Sequence, residues 1–282
     1  MCKMPVSKTQ IDRLGDRLKG GSHTESDLRL LDDYRRSFGE AYQAVVRTIV
    51  QRGEFPTGRP AKSTASIAEK LRRESIRLSQ MQDIAGCRIV VENVVQQEQV
   101  VASLLTDFPG ASVIDRRGKP SYGYRAVHII AEISGKPIEI QVRSSIQHLW
   151  AEVSEKSSDV LDPTIKYGGG NDSWRNFLTR SSVSVASYEE FEKEYSKAVA
   201  AKDVADAAHE TFKKAIAVQP EHPVPGNEVQ LRRELEESTR KMERREQKDQ
   251  EMRRELERLW NVNADLLKGA ISRLDELEGQ KQ

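Results

Sequence analysis

The chain has 282 residues with 45 Lys+Arg against 44 Asp+Glu, a net charge of +1. That balance excludes a uniformly basic nucleic-acid coat and an acidic solvating chain, though not local patches. A mean hydropathy of -0.66 with 32% charged residues predicts a compact domain plus additional exposed helix. Two cysteines, Cys2 and Cys87, are too few for a disulfide framework or a zinc cluster and suit a reducing, cytoplasmic setting. The N-terminal residues lack an apolar signal region, and no run approaches the ~20 apolar residues of a membrane span.

In chain order, residues 1–25 read as a flexible polar tail. Residues 26–52 carry Leu31, Tyr34, Phe38, Tyr42, Val45 and Ile49 on one helical stripe, with Ser26 as N-cap and Gly53 as stop. Gly58-Arg59-Pro60 reads as a loop, Ser63 to about Leu78 as a basic helix, and Gly86–Val91 as a strand. Val94–Asp107 reads as a helix ended by Pro109-Gly110, and Ala111–Asp115 as a short strand. Residues 116–123 form a basic loop, and Tyr124–Ile133 and Lys136–Arg143 are strands about a Ser134-Gly135 turn. Ser144–Val160 is a helix, 166–171 a loop, and 172–218 a helical extension. Residues 219–227 are a Pro-rich linker, which cannot continue a helix. Residues 228–282 read as a long charged helix. On it Met252, Leu256, Leu259, Asn263, Leu266 and Ala270 approximate a heptad seam, so a coiled coil and a solvated arm are both open. The order of elements predicts an α/β (α+β) fold in which helices cover a sheet.

Chemistry concentrates in two places. In the hairpin, strand alternation puts Glu139, Gln141 and Arg143 on one face, and a turn at Ser134-Gly135 sets His128 opposite Gln141 and Ile130 opposite Glu139. Tyr124, Ala126, His128 and Ile130 share a face, and such a polar cluster is not core composition. The ordinary alternative is the solvent face of a half-buried hairpin. In the second place, segment 52–90 holds eight Lys/Arg against four acids, and segment 115–128 four against one. Basic residues beside a helix N-terminus suit polyphosphate, because amides, helix dipole and cations all favour anions. The ordinary alternative here is a solvated helix face. Asp83, before the apolar strand, and Glu139 could together hold a hard cation such as Mg²⁺, which takes one or two carboxylates plus phosphate oxygens and water. A P-loop and a kinase motif set are both missing.

Five ordered motifs resemble the RelA/SpoT synthetase domain. They are Arg59-x-x-Lys62-Ser63-x-x-Ser66-Ile67-x-x-Lys70-Leu71-x-Arg73, Asp83-Ile84-Ala85-Gly86-x-Arg88, Gly123-Tyr124-Arg125-Ala126-Val127-His128, Glu139-Ile140-Gln141-Val142-Arg143 and Leu149-Trp150-Ala151-Glu152. The synthetase domain is accordingly expected over 26–171. The resemblance implies a mixed sheet of nucleotidyltransferase type flanked by helices. It implies transfer of pyrophosphate from ATP to a ribose 3′-hydroxyl, with release of AMP. It further implies Mg²⁺ on Asp83 and Glu139, with Glu139 as base, and ATP held by Arg59, Lys62, Ser66, Lys70, Arg73 and Arg88. The acceptor would be met by Tyr124, stacking on its base, with Arg125, His128, Gln141 and Arg143. GDP or GTP is the leading acceptor.

The loop 115–122 and the run 162–170 look more like the toxin-type small synthetases, some of which put pyrophosphate on the tRNA 3′ end. A tRNA-modifying toxin is therefore the second reading, and an inactive regulatory or oligomerisation protein the third. The chain lacks the family's His-Asp hydrolase signature, so a synthesis-only enzyme is expected. A homo-oligomer or an antitoxin-like partner is expected through the C-terminal helix.

Overall fold

The computed structural model describes residues 7–217 and 227–280. The expected linker falls almost wholly outside them, as does Cys2. The described elements are helices α1 (Lys8–Gly20), α2 (Glu25–Arg36), α3 (Gly39–Gln51), α4 (Thr64–Arg73), α5 (Val94–Asp107), α6 (Ser145–Val160), α7 (Asp172–Ala217) and α8 (Asn227–Gly279). The strands are β1 (Thr57–Arg59), β2 (Ala85–Val91), β3 (Ser112–Asp115), β4 (Val127–Ile133) and β5 (Lys136–Ser144). The fold is mixed α+β, as expected. No helix among the described residues is long and apolar enough to cross a membrane.

The chain divides into two compact units: residues up to Glu92 with Gln96–His148, and Asn93–Val95 with the chain from Leu149 onward. The first unit holds the five-stranded sheet in the order β1-β2-β5-β4-β3. β2 and β5 run parallel and the other neighbours antiparallel. Alternation sends Cys87, Ile89, Ile129, Ala131, Ile138, Ile140 and Val142 into one core, and α3 packs against β2, β4 and β5. The opposite face carries the polar residues.

Four expectations for this unit are corrected. Residues 8–20 are not part of a loose tail. Ser7 caps α1 in a capping box with Gln10, and Ile11, Leu14 and Leu18 are buried. The stripe over 26–52 belongs to two helices, broken at Ser37-Phe38 and started at Thr24 rather than Ser26. Phe38 is buried at that break, so the apolar period runs through it unbroken. Gly58 and Arg59, read as part of a Gly58-Arg59-Pro60 loop, lie in β1 and pair with β2 as an edge strand. Gly58 permits this, since a Cβ there would fall on the Tyr42 hydroxyl. The basic helix also ends at Arg73 rather than near Leu78. The hairpin turn stands as expected, with left-handed φ at both Ser134 (51°) and Gly135 (72°).

In the second unit α7 and α8 pair antiparallel. Tyr188 meets Trp260, Lys202 pairs with Glu246, and His209 with Ser238. α8 therefore lies against α7 of its own chain and is not a free arm. Its seam differs from the expected one: Asn263, Leu267 and Leu274 are buried, whereas the expected Leu266 is 47% exposed. The buried line runs through Asn263, Leu267 and Leu274, steps of four and seven that stay on one helix face. Trp150 packs here, its indole N–H donating to Leu178 O at 3.1 Å.

Candidate active site

Two clusters form on the polar side of the first unit. The first is built from the start of α4 and the approach to β2. Ser63 caps α4, its hydroxyl accepting from Ser66 N–H at 3.2 Å. Lys62, just before that cap, places Nζ 2.7 Å from Asp83 Oδ2. Lys70, two turns along the helix, places Nζ 3.0 Å from Oδ1. Burial would push the Asp83 carboxyl upward, but the charges of Lys62 and then Lys70 outweigh it and hold it below the usual range. Oδ1 is buried and takes no hydrogen bond, its contact with Lys70 being one of charge.

The second cluster is the hairpin. The register sets His128 opposite Gln141 and Ile130 opposite Glu139, as the alternation predicts. His128 Nδ1 lies 2.9 Å from Glu139 Oε1, and Nε2 lies 2.9 Å from the Tyr124 hydroxyl. A carboxylate only accepts, so Nδ1 carries the proton and Nε2 accepts from Tyr124. Arg143 Nη2 donates to the Tyr124 oxygen at 3.0 Å and to Gln141 Oε1 at 2.9 Å. Gln141 Nε2 donates to Glu139 Oε2 at 2.8 Å, which closes the ring. Burial would push Glu139 upward, as would Asp83, but His128 and Gln141 bring it below the usual range. Glu139 is thus ionised, with each oxygen fixed by a donor.

Gly86 brings the two clusters together. It pairs with Glu139 across β2 and β5, and a Cβ on it would lie 2.8 Å from Glu139 O. Only glycine lets β2 approach Glu139 this closely. The same register sets Arg88 beside Gln141, and places position 59 of β1 opposite Gly86.

The expected residues are not equally assembled. Lys62, Lys70 and Asp83 meet, and Tyr124, His128, Glu139, Gln141 and Arg143 meet. Arg125 is buried. Arg73 pairs with Glu74 at 3.0 Å and Glu69 at 3.6 Å, near its own end of α4. Ser66 is bonded into the helix cap. Cys87, on the core face, stays a thiol because burial pushes it up to about 12. Arg35 and Arg36 are additions to the expected set. With Pro60, Lys62, Ser63 and Thr64 they line an open cavity of about 550 Å³ at the N-terminus of α4. Arg35 donates to Thr64 Oγ1 at 2.8 Å. In the sequence the two arginines end a charged helix face, and nothing there distinguishes them from solvated side chains.

The family model "Region found in RelA / SpoT proteins" matches residues 58–158, the stretch that carries both clusters. This stretch is similar to the RelA/SpoT region. An uncharacterized protein of Mycobacterium tuberculosis is 36% identical over 111 residues, covering 38% of this chain and 41% of that protein. The Arabidopsis thaliana protein named Probable GTP diphosphokinase RSH2, chloroplastic, is 32% identical over 96 residues, or 32% of this chain and 13% of that one. The chain thus spans about two fifths, or less, of the length of these relatives. The crystal structure of the small alarmone synthetase 1 from Bacillus subtilis aligns at 29% identity with a TM-score of 0.44, covering 62% of this chain and 98% of that one. The matched stretch contains every expected site residue.

Proposed function

We propose that this RelA/SpoT-like stretch transfers pyrophosphate from ATP to the ribose 3′-hydroxyl of GDP or GTP, giving (p)ppGpp and AMP. The observation that carries this reading is the pair of half-buried carboxylates held below their usual range: Asp83 beneath two lysines, and Glu139 fixed by His128 and Gln141. In the step, the 3′-oxygen attacks the β-phosphorus of ATP. The bond from that phosphorus to the α,β-bridging oxygen breaks, and its electron pair leaves with AMP. The hydroxyl proton passes to the Glu139 carboxylate, which His128 and Gln141 orient. Lys62, Lys70, Arg88 and the capped start of α4 supply positive charge for the phosphates, and Arg36 extends that charge along the cavity, where Arg35 is paired with Asp32 at 2.9 Å. Such a transfer depends mainly on positioning and on neutralising spread negative charge.

The residues also fit Mg²⁺. Both carboxylates are hard oxygen donors, and among the described residues the Asp83 oxygens meet only the mobile ammonium groups of Lys62 and Lys70. Among the described residues no cluster of three His, Cys, Asp or Glu forms, so the remaining ligands would be phosphate and water. Bound there, Mg²⁺ would neutralise phosphate charge. Lys62 and Lys70 would then leave Asp83 for the phosphates.

A tRNA acceptor has weaker support. The basic loop offers less free charge than its composition suggests, because Arg117 is paired with Asp115 at 2.7 Å and Glu98 at 3.4 Å. The test offers γ-labelled ATP and Mg²⁺ with GDP, GTP or bulk tRNA in parallel. Label on GDP or GTP is expected. Label on tRNA alone would replace the acceptor, and label on none would reject the reading.

A further inference from the structure

Helix α8 carries two heptad lines on neighbouring faces. Leu256, Trp260, Asn263, Leu267, Ala270 and Leu274 recur at alternating spacings of four and three, and this inner line is buried or half-buried on the side of α7. One residue earlier at every step, Glu255, Leu259, Val262, Leu266, Gly269 and Arg273 repeat the same spacing. Its own chain leaves this outer line open. Val262 is 55% exposed and Leu266 47%. Beside Leu266 runs an open groove of about 460 Å³, lined by Ser173, Asn176, Phe177, Arg180 and Ser184 of α7. An apolar line in water, flanked by a groove, marks an interaction surface.

Two further features of the outer line are unexplained within one chain. Gly269 lies inside a 53-residue helix, where glycine is disfavoured, yet nothing stands within 4 Å of the point its Cβ would occupy. Its own chain therefore does not require the gap that it leaves. The ends of the line carry opposite charges, Glu255 at one and Arg273 at the other. Each is met within its own helix, Glu255 by Arg258 and Arg273 by Glu276, both at 2.6 Å. Such exposed pairs contribute little and can exchange partners.

We propose that the outer line is the docking surface for α8 of a second copy of this chain, antiparallel, about a two-fold axis at the level of Ala264. Counting outward from that residue, Val262 meets Leu266 of the second copy, Leu259 meets its Gly269, and Glu255 meets its Arg273. The two-fold repeats each contact in the other direction. Apolar residues thus fill the centre, the glycine gives a leucine room, and opposite charges close both ends. A parallel arrangement would set Glu255 on Glu255 and Arg273 on Arg273, and would leave a void between two glycines. This surface lies beyond residues 58–158, and the inference does not depend on the transfer reading.

The test is the mass per particle of the full chain by light scattering. Leu266→Asp should halve it, with helical content by circular dichroism unchanged. Glu255→Arg alone and Arg273→Glu alone each set like charges together at both ends, and each should weaken association about tenfold or more. An equimolar mixture of those two variants pairs opposite charges at both ends and should recover the association of the unsubstituted protein. One chain per particle in the unsubstituted protein would overturn the proposal and leave the outer line to a partner of another kind. A mass unaffected by Leu266→Asp would also overturn it, since copies would then meet elsewhere. If both single variants dissociate and their mixture stays dissociated, the antiparallel pairing is wrong.

Discussion

Asp83 and Glu139 are equally buried, each side chain 14% exposed, and each is held ionised by opposite means. The corner around Asp83 uses mobile charge. Two ammonium groups on flexible stems meet one carboxylate, and phosphates can draw them away. The hairpin around Glu139 uses a ring of hydrogen bonds whose members are fixed by strand register, with Arg143 as its permanent cation. The first arrangement can exchange partners when a polyanion arrives, while the second cannot move without breaking the sheet pairing. On the proposed function, the difference separates an adaptable binding corner from a preorganised chemical one.

The comparison can be broken from either side. The largest effect should come from Glu139→Gln, which keeps the shape but removes the accepting carboxylate. kcat should fall by about 10³-fold or more, with circular dichroism unchanged. A residual rate within tenfold of the starting one would remove Glu139 from the chemistry. Asp83→Asn should lower kcat by about 10²-fold, and it leaves Lys62 and Lys70 without a counter-charge. Because those groups are partly exposed, the stability cost should be only ~1–2 kcal/mol by denaturant unfolding. Gly86→Ala tests the join between the two regions. Its Cβ must displace the Glu139 backbone, so kcat should fall about tenfold and stability by ~1–3 kcal/mol. Full activity in the Gly86→Ala protein would mean that the approach of β2 to Glu139 is not needed.

The smallest effect is on pH dependence and lies away from the site. The side-chain bond from Arg17, followed by the Thr24 amide, holds Asp27 well below its ordinary 3.8. A depressed folded-state pKa contributes stability above the unfolded value and loses it as pH falls through the folded one. Asp27→Asn should therefore lower the thermal midpoint at neutral pH. The gap to the unsubstituted protein should close as the solution is acidified below about pH 4. A gap constant with pH would deny the ion pair that role.

Much of the sheet face could be read in advance, because alternation has a period of two and the Ser134-Gly135 turn sets the register. That pairing, His128 with Gln141 and Ile130 with Glu139, follows from counting residues outward from the turn. Helices α5 and α7 were legible from their breakers and periodicity. What escaped depends on distant partners. β1 is three residues long and exists through pairing with β2 and the space that Gly58 leaves for Tyr42. α1 reads as polar tail because its buried stripe is only Ile11, Leu14, Gly15 and Leu18. The Lys62–Asp83 contact spans 21 residues. Charge counting marked that region as basic, but only the structure shows that two of its lysines are committed to one carboxylate. Arg35 and Arg36 escaped for a related reason: at the charged end of a helix, side chains that line a cavity carry the same pattern as solvated ones.

The most direct measurement is the fate of the ATP that is consumed. When the chain is incubated with ATP, Mg²⁺ and GDP, attack at the β-phosphorus requires one AMP for each pyrophosphorylated GDP. The same stoichiometry should vanish with Glu139→Gln. ADP appearing in place of AMP would show that a single phosphoryl group moves, and would contradict the account.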